Sequence, residues 1–146
     1  MLAVVLAAAI QPPMVAACPA TEPLVPALVP PPPYPEVPPT EGAFWFGTNR
    51  FWTMLPRSGR ASAHDKSFWW TPGFNGAREP HPDLRITATS LETGFLAFMP
   101  PATNASHPSF GGWTMLVMLE FPATGCWRVT ATYGGQSVTY VTEVLR

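Results

Sequence analysis

The stretch CWRVTATYGGQSVTYVTEV, residues 126–144, consists of two alternating segments on either side of Gly134-Gly135. Two glycines tolerate the positive φ angles of a two-residue hairpin turn, so the stretch predicts an antiparallel hairpin. Such a turn pairs Tyr133 with Gln136 and fixes the register of the whole hairpin. One face then carries the pairs Ala131–Val138, Val129–Tyr140 and Trp127–Thr142. We expect this mainly apolar face to lie in the core of a β domain.

The opposite face of the hairpin is largely polar. It carries threonines together with the pairs Arg128–Val141 and Cys126–Glu143. A polar face of an antiparallel sheet is typically solvated or lightly covered. The register therefore places Cys126 on the outer side of the sheet, where a segment from elsewhere in the chain can reach it.

Upstream of the hairpin, residues 113–121 are apolar on both alternating faces, which is typical of a central strand. Gly111-Gly112 before this run and Pro122 after it limit it to strand length and disfavour a helix. The weaker strand candidates are separated by segments rich in Gly, Pro, Asn and Ser; they are Phe51–Leu55, Ser67–Trp70, Leu84–Leu91 and Phe95–Met99. About seven short strands at this spacing predict an all-β fold, an immunoglobulin-like antiparallel β-sandwich spanning residues 41–146.

The beginning of the chain has the pattern of an export signal. Leu2 to Ile10 form an apolar run that is too short for a membrane-spanning helix but long enough for the core of a signal peptide. Val15-Ala16-Ala17-Cys18 then fits the bacterial lipoprotein signal, in which the thiol of the cysteine takes the lipid. No Lys or Arg precedes the apolar run, so the usual cationic start is missing. Residues 1–17 are predicted to be a signal segment and the mature protein to be extracytoplasmic.

Cys18 and Cys126 are the only two cysteines of the chain, which opens a second interpretation of Cys18. An exported chain enters an oxidising compartment, where two thiols tend to form a disulfide. A Cys18–Cys126 bond and lipid attachment at Cys18 exclude each other, because both need the same sulfur. Two possibilities stay open: a protein anchored in a membrane through lipidated Cys18, or a secreted one with a disulfide.

Residues 18–40 are dominated by proline, with ten prolines among the twenty-two positions from Pro19 to Thr40. Proline fixes φ and removes a backbone donor, so this segment favours polyproline II over helix or sheet. We expect a disordered, extended stalk that holds the domain clear of a membrane surface. A proline-rich ligand for an aromatic-lined groove is the less common alternative.

Charge and motifs argue against several classes of function. The net charge is −1 and the basic residues are scattered, so nucleic acid is not an expected partner. His64, His81 and His107 have no recognised metal-ligand spacing, and no catalytic or cofactor-binding motif is present. We expect no metal, no cofactor and no enzymatic activity. An envelope enzyme would need a pocket that joins at least two of these histidines.

Aromatic residues are numerous for a domain of this size. Trp45, Trp52, Trp69 and Trp70 are the candidates for a binding surface, because exposed indole rings can stack on the faces of sugars. The alternative is that such rings fill the core, where each buries about 150–250 Å². If Trp69 and Trp70 lie in a strand, their rings point to opposite faces of the sheet, so we expect one of them outside or in a groove.

The segment FPATGCWRVTATYGGQSVTYV, residues 121–141, resembles a group of uncharacterised bacterial secreted proteins and lipoproteins with a similar Phe-Pro, Gly-Cys-Trp and glycine-bounded hairpin. The segment FWFGTNRFWTMLP, residues 44–56, is similar to the start of their domain. The resemblance implies an exported β-rich domain. It also favours a disulfide, through a Cys-Pro near the mature start that matches Cys18-Pro19. It implies no reaction and no catalytic residues.

Taken as a whole, the signal, the stalk and the strand pattern predict an exported cell-envelope module with a binding or structural role. Its expected partner is an unidentified envelope protein or glycan. The alternative is carbohydrate or peptidoglycan binding through exposed tryptophans, and a more distant one is an envelope enzyme.

Overall fold

The structure is a computed structural model that describes residues 16–146, so most of the expected signal segment lies outside the described residues. The strands in chain order are β1 (Ala43–Gly47), β2 (Trp52–Pro56), β3 (Arg60–Ser62), β4 (His64–Trp70), β5 (Arg85–Ser90), β6 (Leu96–Phe98), β7 (Thr103–His107), β8 (Gly112–Glu120), β9 (Gly125–Tyr133) and β10 (Gln136–Leu145). A short 3-10 helix covers Pro108–Phe110. This part of the chain has no helix that is long and apolar enough to cross a bilayer. The predicted all-β class is confirmed.

The strands form two sheets of five. One has the order β1-β2-β4-β8-β7 and the other the order β3-β10-β9-β5-β6. Neighbouring strands are antiparallel except β3 and β10, which run parallel. Let β2 be strand A, β4 strand B, β5 strand C, β6 strand C′, and β7 to β10 strands D to G. The sheets then contain the orders A-B-E-D and G-F-C-C′ of immunoglobulin domains. The strand order therefore confirms the predicted immunoglobulin-like sandwich.

The β9–β10 hairpin has the register expected from its turn. Tyr133 pairs with Gln136, and Cys126 pairs with Glu143. The turn glycines both have positive φ, 54° at Gly134 and 76° at Gly135, as a type I′ turn requires. The face expected to be the core is buried along its whole length, whereas the opposite face is polar and largely accessible. Turn chemistry has thus set the pairing of β9 with β10.

The core lies between the two sheets and is filled by their inward-facing side chains. Met115, Val117 and Leu119 enter it from β8, while Trp127 and Val129 enter it from β9. β8 lies between β4 and β7 in its sheet, which confirms the prediction that this apolar run is a central strand. Because β5, β8 and β9 pack in this core, the turn after β5 and the connection between β8 and β9 are held at fixed positions.

Residues 18–40 differ from the extended stalk that their composition predicts, because they lie against the sandwich. Thr21 binds Val141 of β10 twice, through its backbone N–H and through its hydroxyl. Further along, the chain turns where the N–H of Tyr34 donates to the carbonyl of Pro31 at 3.1 Å. Prolines have little conformational freedom to lose on docking, so a proline-rich segment that finds apolar partners is ordered at low entropic cost.

Candidate functional site

A disulfide joins Cys18 to Cys126, with the two Cα atoms 5.4 Å apart. Of the two interpretations of Cys18, the structure shows this one, and a sulfur in such a bond is not free to carry a lipid. Cys126 lies on the outer side of its sheet, as the hairpin register predicts. It is nevertheless buried, because the N-terminal segment crosses the sheet at this point. The bond makes the proline-rich segment covalently continuous with β9.

Three of the four tryptophan candidates, Trp45, Trp52 and Trp70, pack together on the outer face of β1, β2 and β4. We call this cluster the aromatic groove. Leu28 and Tyr34 of the proline-rich segment pack into it. The ring of Tyr34 meets that of Trp52 edge-on, with 4.9 Å between the ring centroids. The chain itself therefore occupies the aromatic groove.

Hydrogen bonds fix the proline-rich segment in the aromatic groove. The Nε1–H of Trp45 donates to the carbonyl of Pro35 at 3.1 Å, and the hydroxyl of Tyr34 donates to the carbonyl of Thr71 at 3.0 Å. Burial raises the pKa of the Tyr34 hydroxyl above its ordinary value of 10.0, so it remains a donor into the alkaline range. These bonds join the segment to both β1 and the end of β4.

Trp69 lies on the other side of the sheet from Trp70, as the alternation of a strand predicts. Its ring stacks on that of Phe51 in the core, with 5.0 Å between the centroids. Its Nε1–H donates to the hydroxyl of Ser67 at 2.7 Å. A buried tryptophan whose polar atom is satisfied in this way is a core residue.

None of the four tryptophan candidates presents its ring to solvent. Trp45 is 4% exposed, and Trp52, Trp69 and Trp70 are 0% exposed. Trp70 lies in a groove, as one alternative predicted, but the proline-rich segment fills that groove. The expected platform of exposed tryptophans is therefore wrong for this fold, because none of these four indole rings is available to stack on a sugar.

The histidines that an envelope enzyme would use are not brought together. His64 pairs with Glu120 and His107 pairs with Gly112, and these partners are the two ends of β8. A nine-residue strand separates its ends by roughly 26 Å at about 3.3 Å per residue. In residues 16–146 no histidine lines any of the main cavities, and no three metal-ligating side chains cluster.

Exposed apolar surface of the sandwich is concentrated beside β6, which is the free edge of its sheet. Phe95, Leu96 and Phe98 are 57%, 47% and 77% exposed, and Leu91 lies just upstream at 36%. We call these four residues the edge patch. From residue 43 onward, the other exposed large apolar residues are Met118 and Leu145. A concentration of this kind marks an interaction surface more often than scattered single residues do.

Unpaired backbone groups accompany the edge patch. The N–H of Ser90 donates to the carbonyl of Phe95 at 2.9 Å, so Phe95 directs its carbonyl toward β5. In an antiparallel ladder the direction alternates, and Ala97 therefore faces β5 as well. Leu96 and Phe98 direct their N–H and C=O groups to the free side. Apolar side chains and open hydrogen-bonding groups thus coincide at the same two residues.

A cleft of about 430 Å³ opens next to the edge patch, between the β5–β6 turn and the β8–β9 connection. Phe95, Pro122 and Ala123 form much of its apolar wall, with Trp127 behind them. The Nε1–H of Trp127 donates to the carbonyl of Ala123 at 3.0 Å, which fixes this wall to the core. The carboxylate of Glu92 is the charged group of the lining. We call this cavity the Glu92 cleft.

The carboxylate of Glu92 is held in place from two sides. Its Oε1 accepts from the N–H of Cys126 at 2.8 Å, and its Oε2 accepts from the hydroxyl of Ser90 at 3.3 Å. The hydrogen bond from the Cys126 N–H lowers the pKa of Glu92 below its ordinary value, because it stabilises the charged carboxylate. Facing it, Gly125 has a φ of 118°, and a Cβ there would lie 3.1 Å from Oε1. A side chain at this position would strain the backbone and would push the Glu92 carboxylate away by a few tenths of an ångström.

Neither the edge patch nor the Glu92 cleft is among the sites that the sequence predicts. The alternation of Leu96 and Phe98 within the predicted strand Phe95–Met99 puts them on one face, but it does not say which strand ends up at a sheet edge. Glu92 has the sequence context of an ordinary turn residue. Glu92 contacts Cys126 because β5 pairs with β9, and these two strands are far apart in the sequence.

Comparisons with models of protein families, with curated proteins and with solved structures find no significant match. The assignment to an immunoglobulin-like sandwich depends on the strand order described above. The resemblance of residues 121–141 to secreted bacterial proteins stays a prediction. Function has to be inferred from the surfaces themselves: a filled aromatic groove, an open edge patch and a charged cleft beside it.

Proposed function

We propose that the protein is an extracytoplasmic binding module of the cell envelope that captures an extended segment of a partner protein at the free edge of β6. The observation that carries this proposal is the coincidence, at Leu96 and Phe98, of exposed apolar side chains with unpaired backbone groups. Strand addition uses these two features: backbone hydrogen bonds supply affinity, and alternate side chains supply specificity.

The disulfide supports a place outside the cytoplasm. Disulfides persist in oxidising compartments and are rare in reducing ones. Both cysteines of the chain take part in the bond, and it joins the beginning of the proline-rich segment to β9 of the sandwich. Together with the predicted signal segment, the bond favours a protein that is exported and oxidised.

The described part of the N-terminal segment, residues 16–40, leaves β6 open. Cys18 and Thr21 attach to β9 and β10, and Tyr34 docks on the opposite sheet. None of these contacts reaches the edge patch, whose side chains stay exposed. The fold therefore covers its aromatic groove with its own chain but leaves the edge patch free for a partner.

A protein partner is favoured over a second copy of this chain. β6 has three residues, and a short edge strand limits edge-to-edge pairing between identical copies. A longer partner strand can use the edge together with the neighbouring side chains of Leu91 and Phe95. A protein partner also suits the N–H and C=O groups that Leu96 and Phe98 leave open, because an added strand supplies the complementary backbone groups.

Site-specific photocrosslinking in the native cell tests the proposal. A photoreactive residue at position 98 is expected to yield one adduct with an envelope protein, and the adduct should vanish when Leu96 is changed to Ser. Position 137 is the matched control, because Ser137 is exposed on the same sheet but lies on β10. An adduct pattern at position 98 that is no different from that at position 137, or that consists of this chain alone, would contradict the proposal.

A further inference from the structure

We infer that the Glu92 cleft binds a basic side chain, Lys or Arg, of the segment that adds to β6. The inference depends on the proposed function and specifies the chemistry of the partner: an extended segment with alternating apolar residues and a basic residue at one end.

The first argument is charge. Two ion pairs occur among the described residues, Arg60–Glu143 and Arg85–Asp83, and Glu92 belongs to neither. Each oxygen of its carboxylate already accepts one hydrogen bond but has a second lone pair available. The cleft therefore contains a fixed negative charge that no cation of residues 16–146 neutralises. A cation is the complementary ligand.

The second argument is the apolar wall. A bare metal ion or ammonium ion would leave the surface of Phe95, Pro122 and Ala123 in contact with water. Lys and Arg side chains combine an aliphatic stem with a cationic head, so one residue can cover the wall and reach the carboxylate. The exposed ring of Phe95 can also attract the cationic head through its face. The lining thus matches a basic side chain better than a small inorganic cation.

The third argument is position. Phe95 lines the cleft and directly precedes Leu96, the first residue of β6. A strand that pairs with the free side of β6 runs alongside the cleft at this end. A basic residue at that end of the added strand can then enter the cleft without breaking the pairing. Edge patch and cleft therefore form one surface for one extended segment.

The test uses two labelled peptides and fluorescence anisotropy with the oxidised, full-length mature protein. The first peptide alternates Val and Thr and carries one Arg near an end; the second has citrulline, the neutral analogue of Arg, at the same place. Both are expected to bind, the Arg peptide about two- to fivefold more tightly, as one ion pair with an exposed carboxylate allows. Glu92→Gln should remove that difference, whereas Glu120→Gln, at an exposed carboxylate on β8, should preserve it.

Each outcome discriminates between the inference and the proposed function. If both peptides bind the wild type equally and Glu92→Gln changes neither affinity, strand addition stands and the cleft inference is overturned. Failure of both peptides to bind overturns the proposed function and, with it, the inference. Binding of N-acetyl-arginine amide as tightly as the whole Arg peptide also contradicts the inference, because the basic side chain would then need no strand.

Discussion

The indole N–H of Trp45, on β1, donates a hydrogen bond to the carbonyl oxygen of Pro35 at 3.1 Å. Proline has no N–H, so its carbonyl is the one backbone group through which it can be hydrogen-bonded. This bond connects the segment expected to be a stalk with the sandwich. With the disulfide at Cys18, it makes the proline-rich segment a covering layer of the domain.

Changes at Tyr34 are expected to reveal this layer. Tyr34→Phe removes the hydrogen bond to Thr71 and should lower the free energy of unfolding by about 1 kcal/mol. Tyr34→Ala also removes the edge-on contact with Trp52 and should lower it by more. Urea unfolding measures both, with Val25→Ala in the same segment as a control, since Val25 is fully exposed. Equal stability of all three variants would indicate a free stalk.

Two methionines of β8 give a matched test of the core. Met115 is 0% exposed and Met118 is 39% exposed. Met115→Ala should lower the free energy of unfolding by about 2–5 kcal/mol, because it leaves a cavity between the sheets. Met118→Ala should change it by no more than about 0.5 kcal/mol. If thermal or urea unfolding gave similar losses for the two, the assigned faces of β8 would be wrong.

Strand addition predicts a specific pattern of amide protection. The N–H groups of Leu96 and Phe98 point to the free side of β6, so binding of the citrulline peptide should slow their hydrogen exchange. The N–H of Ala97 faces β5 and should be slow before the peptide is added. Hydrogen exchange followed by NMR measures all three. Unchanged exchange at Leu96 and Phe98 in the peptide complex would place the peptide elsewhere.

Alkaline pH should affect the protein through its tyrosines. Burial and the neighbouring Glu79 raise the pKa of Tyr133 to about 12 from an ordinary 10.0. Burial also raises the pKa values of Tyr34 and Tyr140. Because the folded state holds these protons more tightly, their contribution to stability is complete below pH 10 and is lost as the pH rises toward 12.

The tyrosinate absorbance of the folded protein checks this prediction. It should stay flat through pH 10, the ordinary tyrosine pKa, and Glu79→Gln should shift the Tyr133 transition downward. A tyrosine that titrates at its ordinary value while the near-ultraviolet dichroism stays native would contradict the burial described here.

Local sequence features predicted the parts of the fold that depend on local chemistry. Gly134-Gly135 sets its own turn type, and alternation then carries the register along β9 and β10. The apolar run of β8, bounded by Gly111-Gly112 and Pro122, likewise identifies a central strand from local sequence alone. The strands β3 and β7 escaped prediction because Arg60–Ser62 and Thr103–His107 carry no apolar alternation.

The features that were not predicted depend on contacts between residues that are far apart in the chain. β1 was not predicted as a strand, although both of its faces are apolar: Phe44 enters the core and Trp45 enters the aromatic groove. The proline-rich segment returns to cover that groove through Leu28 and Tyr34. Proline content predicts that the segment forms neither helix nor sheet, but it does not predict where the segment docks. The edge patch was missed because strand order within a sheet is not encoded in any single strand.

The central claim is that residues 18–40 belong to the folded domain through the bond between Cys18 and Cys126. Intact mass of the exported protein, before and after reduction and alkylation, tests it most directly. We predict a mass two hydrogens below that of the reduced chain, no alkylation before reduction, and two alkyl groups after it. An added acyl mass at Cys18, or alkylation of Cys126 in the unreduced protein, would contradict the claim.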